Sequence, residues 1–160
     1  MIWFDEKPND RWVEACRHLG KRDPVMRKLI KRVGPCTLRP RRDYFVKLIQ
    51  SILSQQVSVK AASAMYAKLA LNFEGKAPTP EAVVKFLETS HDDVIRACGL
   101  SRQKRAYVYD LAKRFADGSI PHKRFAKMSD DELIASLTEI KGIGRWTVEM
   151  LLIFLLDLSL

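Results

Sequence analysis

Two glycines flank a single apolar residue in the segment LTEIKGIGRWTVEM (137–150), at the point where one helical pattern stops and a strongly apolar one begins. Gly142 is able to take a positive φ at the end of the first helix, and Gly144 lets the backbone approach another surface closely. We expect the N–H groups from Gly144 to Thr147 to point outward, at the positive end of the second helix dipole. Arg145 adds a full charge beside them, so the segment predicts an anion site suited to a phosphate. Taken alone, Gly-x-Gly is also typical of a simple tight turn.

Two further segments carry polar residues at positions that favour contact with a partner. In IQSILSQQVSVKAA (49–62), Gln55 and Gln56 lie at a break between two helical patterns, where polar side chains project outward. In CGLSRQKRAYVYDLAKRF (98–115), Ser101 is expected to cap a helix and Lys104 lies one turn into it. The glutamines also fit a solvated loop tip. Lys104 is predicted to neutralise a phosphate, although it also fits the solvated face of an amphipathic helix.

Charge and composition indicate a polyanionic partner. The chain has 28 Lys and Arg against 19 Asp and Glu, for a net charge of +9, which favours nucleic acid over a membrane surface. Cys16, Cys36 and Cys98 form no C-x-x-C pair, so we predict neither a zinc site nor a disulfide framework. We find no signal-peptide pattern and no apolar run long enough to span a membrane. The expected protein is an intracellular monomer, cytoplasmic or, in a eukaryote, nuclear.

The elements that must position these residues are predicted to be helices throughout, in one domain over residues 1–160. Asp, Ser or Thr residues stand at seven expected helix starts: Asp23, Asp43, Ser58, Thr79, Ser90, Ser101 and Ser129. Glycines mark three expected helix ends: Gly34, Gly99 and Gly118. The helix before the glycine pair is expected to end at Ile140. No alternating strand pattern is present in the sequence, so the predicted fold class is all-α.

The three segments together resemble the helix-hairpin-helix DNA glycosylases. KGIGRWT is similar to the hairpin of that superfamily, and IKGIGRWTVEM resembles the 3-methyladenine DNA glycosylase II branch in particular. The resemblance implies two helical halves with a cleft between them, in which double-stranded DNA is bent and one base is accepted. It also implies base-excision repair: an alkylated purine such as 3-methyladenine or 7-methylguanine is flipped out and its N-glycosidic bond hydrolysed.

By the same resemblance, Gln56 fills the space left by the flipped nucleotide and Gln55 lies beside it at the minor-groove edge. Trp146 and Met150 belong to the base pocket, where the indole would stack on a cationic alkylated base. A cation over an aromatic ring gains on the order of 0.5–2 kcal/mol, which gives a physical route to selecting damaged bases. Lys104 would bind a phosphate, together with the hairpin residues Gly142, Gly144, Arg145 and Thr147.

The resemblance also bears on cofactors. It implies a monovalent cation held by the main-chain carbonyls of Thr138, Ile140 and Ile143, with no other cofactor and no iron–sulfur cluster. Such a site has no side-chain signature, so the sequence itself cannot reveal it.

The family's catalytic aspartate has no counterpart in this chain and is expected beyond Leu160, so the chain as given is predicted to be inactive. Glu149 or a neighbour stands where relatives with lyase activity keep a nucleophilic lysine, which favours a monofunctional enzyme. Three alternatives remain open. The first is a non-catalytic helix-hairpin-helix DNA-binding module, the second an endonuclease-III-like iron–sulfur relative, and the third an all-α scaffold without a nucleic-acid partner.

Overall fold

The computed structural model describes residues 10–34, 36, 43–74 and 76–155. Within those ranges the chain is helical and contains no strand, which confirms the all-α prediction. Over the same residues, no helix is long and apolar enough to cross a membrane. Nine α-helices are described: α1 (Asp10–Arg22), α2 (Pro24–Val33), α3 (Tyr44–Ser54), α4 (Val59–Ala70), α5 (Pro80–Thr89), α6 (Asp92–Ala97), α7 (Arg102–Ala116), α8 (Asp130–Thr138) and α9 (Arg145–Leu155). Two 3₁₀ segments accompany them, Leu71–Phe73 and His122–Lys127.

Most of the predicted helix starts are confirmed by capping hydrogen bonds. Five side chains each accept a backbone N–H from the first turn of their helix, and they are Asp23, Ser58, Thr79, Ser101 and Ser129. At α8 the cap is reciprocal, because the Glu132 carboxylate also accepts the Ser129 N–H at 2.7 Å. Caps of this kind typically contribute about 1 kcal/mol each.

Two predicted caps are wrong. The Ser90 N–H donates to the Phe86 carbonyl at 3.1 Å, so Ser90 still closes α5, and His91 stands at the start of α6 instead. Asp43 precedes α3 with φ −83° and ψ 43°, outside the extended conformation of a capping residue, and it makes no capping bond there.

Other helix boundaries also differ from the prediction. Helix α8 ends at Thr138, two residues before Ile140. Neither α1 nor the 3₁₀ segment His122–Lys127 was predicted, since neither stretch contains a motif or a clear capping pattern.

Helix α3 lies at the centre of the core and packs against α4, α7 and α9. Its apolar side chains form the middle of the core, where Phe45, Leu48, Ile49, Ile52 and Leu53 are all buried. Helix α5 packs on α7, and α8 packs on α9. Helices α1 and α2 pack on each other, and the described side chains of residues 12–34 contribute nothing to this core. The core therefore holds α3, α7, α8 and α9 in fixed relation, and the three segments with candidate functional residues lie at their ends.

Candidate functional site

The turn between α8 and α9 is a tight hairpin anchored by two buried isoleucines. Ile140 and Ile143 are almost fully buried, and the Ile143 N–H donates to the Ile140 carbonyl at 3.0 Å. Between them Gly142 has φ +80°, as the sequence predicts. A Cβ at this position would overlap the ring of Tyr107 on α7. Only glycine therefore fits both the backbone conformation and the space above that ring.

The start of α9 presents backbone donors to solvent, although fewer than expected. The Gly144 carbonyl accepts the N–H of Thr147 at 2.9 Å and that of Val148 at 3.2 Å. The expectation that the Thr147 N–H is unpaired is therefore wrong, because the first turn of α9 closes on it. No acceptor among the described residues takes the N–H of Gly144, Arg145 or Trp146. Gly144 is exposed, and a Cβ there would meet nothing within 4 Å.

Arg145 brings a positive charge to this helix start. Its side chain is 68% exposed, and its Nε donates to Glu149 Oε1 at 2.8 Å, one turn along α9. An exposed i,i+4 pair of this kind contributes only about 0.3–0.5 kcal/mol. A phosphate at the three free N–H groups therefore competes easily with Glu149 for the guanidinium group.

The Gln55–Gln56 turn follows α3 and lies beside the hairpin. Gln56 is exposed and has φ +58°, a conformation that non-glycine residues seldom adopt. Gln55 is oriented differently, because its Nε2 donates to the Gly142 carbonyl at 2.7 Å. Sequence reasoning placed both glutamines at the DNA surface, but it did not anticipate that one of them bonds to the hairpin.

Lys104 on α7 is also engaged within the protein. Its Nζ donates to the Leu53 carbonyl in the last turn of α3 at 2.6 Å. Partial burial lowers the pKa of Lys104 below its ordinary value of 10.5. An ammonium group has three donors, so Lys104 retains N–H groups for a further acceptor while it caps α3.

These elements enclose a cavity of about 730 Å³ between the Gln55–Gln56 turn, α7 and the hairpin. Its lining includes most of the predicted DNA-contacting residues and all three predicted cation ligands, in full Gln55, Gln56, Ser101, Gln103, Lys104, Tyr107, Thr138, Glu139, Ile140, Lys141, Gly142, Ile143 and Gly144. The structure therefore brings together three segments that lie up to 87 residues apart in sequence.

Trp146 and Met150 lie outside the lining of this cavity. They are one turn apart on α9, where Trp146 is 69% exposed and Met150 is partly buried. Among residues 145–153 of the helix, the buried ones are Val148, Leu151 and Leu152. Trp146 is thus a surface residue in this structure and not part of the hydrophobic core.

One residue that sequence reasoning missed is Asp110 on α7. Its Oδ2 accepts the Lys141 N–H at 2.9 Å and the Arg114 Nε at 3.2 Å, and Arg114 in turn pairs with Glu139 at 3.3 Å. Tyr107, Asp110 and Arg114 are spaced by three and four residues and therefore share one helix face. The sequence does place the Asp110 carboxylate on the same face of α7 as Tyr107. It does not show that the hairpin packs against that face, so the bond to Lys141 could not be predicted.

The described residues contain no cluster of three or more His, Cys, Asp or Glu side chains able to hold a metal ion. The predicted ligands of a monovalent cation are instead the carbonyls of Thr138, Ile140 and Ile143, and all three residues line the cavity. The Ile140 carbonyl already accepts one N–H, and a carbonyl oxygen has two lone pairs. The hairpin therefore leaves it one lone pair for a cation.

Comparison with known proteins gives a consistent result. The model of the family described as "HhH-GPD superfamily base excision DNA repair protein" matches residues 49–151. The chain is 39% identical over 145 residues to DNA-3-methyladenine glycosylase 1 of Schizosaccharomyces pombe, covering 88% of this chain and 62% of that protein. It is 33% identical over 156 residues to the DNA-3-methyladenine glycosylase of Saccharomyces cerevisiae, covering 87% of this chain and 51% of the relative. The chain thus spans about half to two thirds of the length of these relatives.

Among solved structures, the Schizosaccharomyces pombe 3-methyladenine DNA glycosylase in complex with abasic DNA matches with a TM-score of 0.74 and 38% identity. The match covers 90% of this chain and 70% of that one. A DNA-3-methyladenine glycosidase from Bacillus halodurans matches with a TM-score of 0.71 and 27% identity, over 95% of this chain and 65% of that one. These matches confirm the fold that the three sequence segments predict.

Proposed function

Because this chain belongs to the HhH-GPD superfamily of base excision DNA repair proteins, we propose that it is the DNA-binding part of a monofunctional glycosylase for alkylated purines. One observation carries the proposal: a hairpin with three free N–H groups and the exposed Gln56 lie on either side of a single cavity. The free N–H groups suit a phosphate, and the exposed Gln56 side chain suits insertion into a base stack. DNA bound to both would have one nucleotide displaced.

The phosphate site consists of the N–H groups of Gly144, Arg145 and Trp146 with the Arg145 guanidinium. An anion there gains both the hydrogen bonds and the positive end of the α9 dipole. Phosphate contacts fix the position of the protein on the duplex without reading sequence. This suits an enzyme that must find a damaged base in any sequence context.

Base recognition is proposed for Trp146 and Met150. The Trp146 indole is 69% exposed, so it is accessible to a partner, and it lies directly beside the proposed phosphate site. A cationic alkylated purine stacked on it gains cation–π energy that a neutral purine lacks. The same positive charge weakens the N-glycosidic bond, so the damage helps both selection and hydrolysis.

Hydrolysis requires a carboxylate to stabilise the positive charge that develops on the sugar. None of the described acidic residues is proposed for this role, because none stands in the sequence context of the family's catalytic aspartate. The carbonyls of Thr138, Ile140 and Ile143 remain the proposed ligands of a monovalent cation. Such a cation would supply positive charge close to a bound phosphate.

The test is release of 3-methyladenine and 7-methylguanine from methylated duplex DNA, with unmethylated duplex as the control substrate. We assay the 160-residue chain and the same chain in its native C-terminal context. The proposal expects base release by the longer protein and duplex binding by both. Duplex binding without base release by either protein would favour the non-catalytic DNA-binding alternative, and absence of duplex binding would refute both readings.

A further inference from the structure

We propose that Gln55 is a positioning residue that couples the inserting turn to the phosphate-binding hairpin, rather than a residue that contacts DNA. The proposal rests on the function proposed above for Gln56 and for the hairpin. It departs from the role that the sequence predicts for Gln55, namely a contact at the minor-groove edge. Its basis is the 2.7 Å hydrogen bond from Gln55 Nε2 to the Gly142 carbonyl.

This bond is a direct link between two parts of the chain that are far apart in sequence. Gln55 follows α3, whereas Gly142 lies in the turn between α8 and α9, 87 residues later. The carbonyl that accepts the bond belongs to the one residue whose φ of +80° determines the shape of the hairpin. A change in the orientation of that peptide would therefore displace the hydrogen bond that Gly142 accepts from Gln55. The turn that carries Gln56 would move with it.

The environment of Gln55 favours a structural bond over a DNA contact. Gln55 is partly buried and Gln56 beside it is exposed, so only one of the two side chains projects from the turn. A side-chain amide has two donors and one acceptor, and the hairpin uses a donor of Gln55. Redirecting Gln55 to DNA would leave the Gly142 carbonyl without this partner, which opposes the change.

Lys104 holds the same turn from a second side. Its Nζ donates to the Leu53 carbonyl, two residues before Gln55. The end of α3 is thus attached to α7 through Lys104 and to the hairpin through Gln55. For function, this means that a phosphate bound at the hairpin and the inserted Gln56 remain a fixed distance apart. DNA binding and base displacement therefore occur together.

The first test uses the protein without DNA, so it does not depend on glycosylase activity. Gln55→Met keeps the length of the side chain and removes the donor, and we measure amide hydrogen exchange across residues 140–148. We expect exchange at the hydrogen-bonded amides of this range, namely those of Ile140, Lys141, Ile143, Thr147 and Val148, to increase roughly five-fold, the change corresponding to one lost neutral hydrogen bond. Gln56→Ala is the matched control, because it alters the adjacent residue and should leave exchange in the hairpin unchanged. Unchanged hairpin exchange in Gln55→Met would overturn the proposal.

A second measurement on the unaltered protein guards against a variant that folds poorly. The Gln55 side-chain amide protons should exchange more slowly than those of Gln56 in the DNA-free protein. Equal exchange of the two side-chain amides would overturn the proposal without any substitution.

A third measurement separates positioning from DNA contact, and it uses whichever form of the protein releases base. We expect Gln55→Met to slow base release at saturating protein while the salt dependence of DNA binding stays unchanged. We also expect Gln56→Ala to cost less in the Gln55→Met background than alone, since both changes disrupt one coupled step. Additive costs would assign Gln55 an independent contact with DNA and refute the proposal. If the unaltered protein released no base, the proposed function would fail, while the exchange measurements would still decide the role of Gln55.

Discussion

At the scale of single residues, the two hairpin glycines have different physical reasons to be glycine. Gly142 has φ +80° and no room for a Cβ above Tyr107, whereas Gly144 has open space around it. The first position is therefore constrained by the fold. The second is constrained only if another molecule approaches the backbone there, which is what phosphate binding requires.

This contrast predicts opposite outcomes for two alanine variants. Gly142→Ala should lower the free energy of unfolding by about 2–3 kcal/mol, because the left-handed conformation and the contact with Tyr107 both oppose a Cβ. Gly144→Ala should cost less than about 1 kcal/mol, the usual range at a helix start, yet weaken binding to duplex DNA. Urea unfolding and DNA-binding titrations on both variants provide the check. A stable Gly144→Ala protein with unchanged DNA affinity would contradict the phosphate site.

At the scale of secondary-structure elements, α7 packs against the hairpin through Tyr107, Asp110 and Arg114. Asp110 accepts the N–H of Lys141, the residue before Gly142, and Arg114 pairs with Glu139 at the end of α8. The hairpin is therefore bonded to α7 on one side and to Gln55 on the other.

Removing the carboxylate of Asp110 should loosen the hairpin. Asp110→Ala leaves the Lys141 N–H and one donor of Arg114 without their partner, at a cost of about 1–2 kcal/mol in the free energy of unfolding. Asp110→Asn keeps an acceptor oxygen and should retain most of the stability. Equal losses in the two variants would show that the charge of Asp110 matters more than its bond to Lys141.

The start of α6 provides an acid-sensitive contact. Arg105 donates to Asp92 at 2.5 Å and to the Leu87 carbonyl at 3.0 Å, which ties α7 to the ends of α5 and α6. The hydrogen bond and charge of Arg105 lower the pKa of Asp92 below its ordinary value of 3.8. A lowered pKa in the folded state means that the stabilisation is present above 3.8 and is lost as the pH falls through the folded value.

The Asp92→Asn variant should therefore have a lower melting temperature than the unaltered protein at pH 7. The difference should disappear once the pH is well below 3.8, where the unaltered side chain is also neutral. Asp93→Asn, in the same helical turn, is the matched control for the effect of helix-end charge. Thermal melts at both pH values test this, and a difference that persists in acid would exclude the Arg105 pair as its origin.

The elements also show what the sequence was able to predict. Helix starts were found at Ser58 and Ser101 because a cap is a local hydrogen bond between neighbours in sequence. The positive φ of Gly142 was found for the same reason. The bonds from Gln55 to Gly142 and from Asp110 to Lys141 were not found, because they depend on how α3 and α7 pack against a distant turn. Local chemistry predicted which residues are candidates for the site, and tertiary packing determines which of them remain free to bind a partner.

At the scale of the whole molecule, the chain carries a net charge of +9. Several basic side chains near the candidate site are nevertheless engaged within the protein, including Lys104, Arg105 and Arg114. For the proposed DNA partner, long-range attraction would come from the net charge, whereas the local contact would depend on few cations. The organisation of residues 1–160 as a single domain stays a prediction.

The salt dependence of DNA binding distinguishes these two contributions. Each phosphate neutralised by a cation adds about 0.9 to the slope of log affinity against log salt concentration. Arg145→Gln should lower that slope by about 1, because Arg145 is an exposed cation beside the three free N–H groups at the start of α9. Glu149→Gln should strengthen binding, since it releases Arg145 and removes a negative charge beside the phosphate. Lys85→Gln, an exposed lysine on α5 outside the cavity lining, removes the same charge and should leave the slope nearly unchanged. Equal effects of Arg145→Gln and Lys85→Gln would mean that DNA responds only to the overall charge, and the start of α9 would then have no special part in binding.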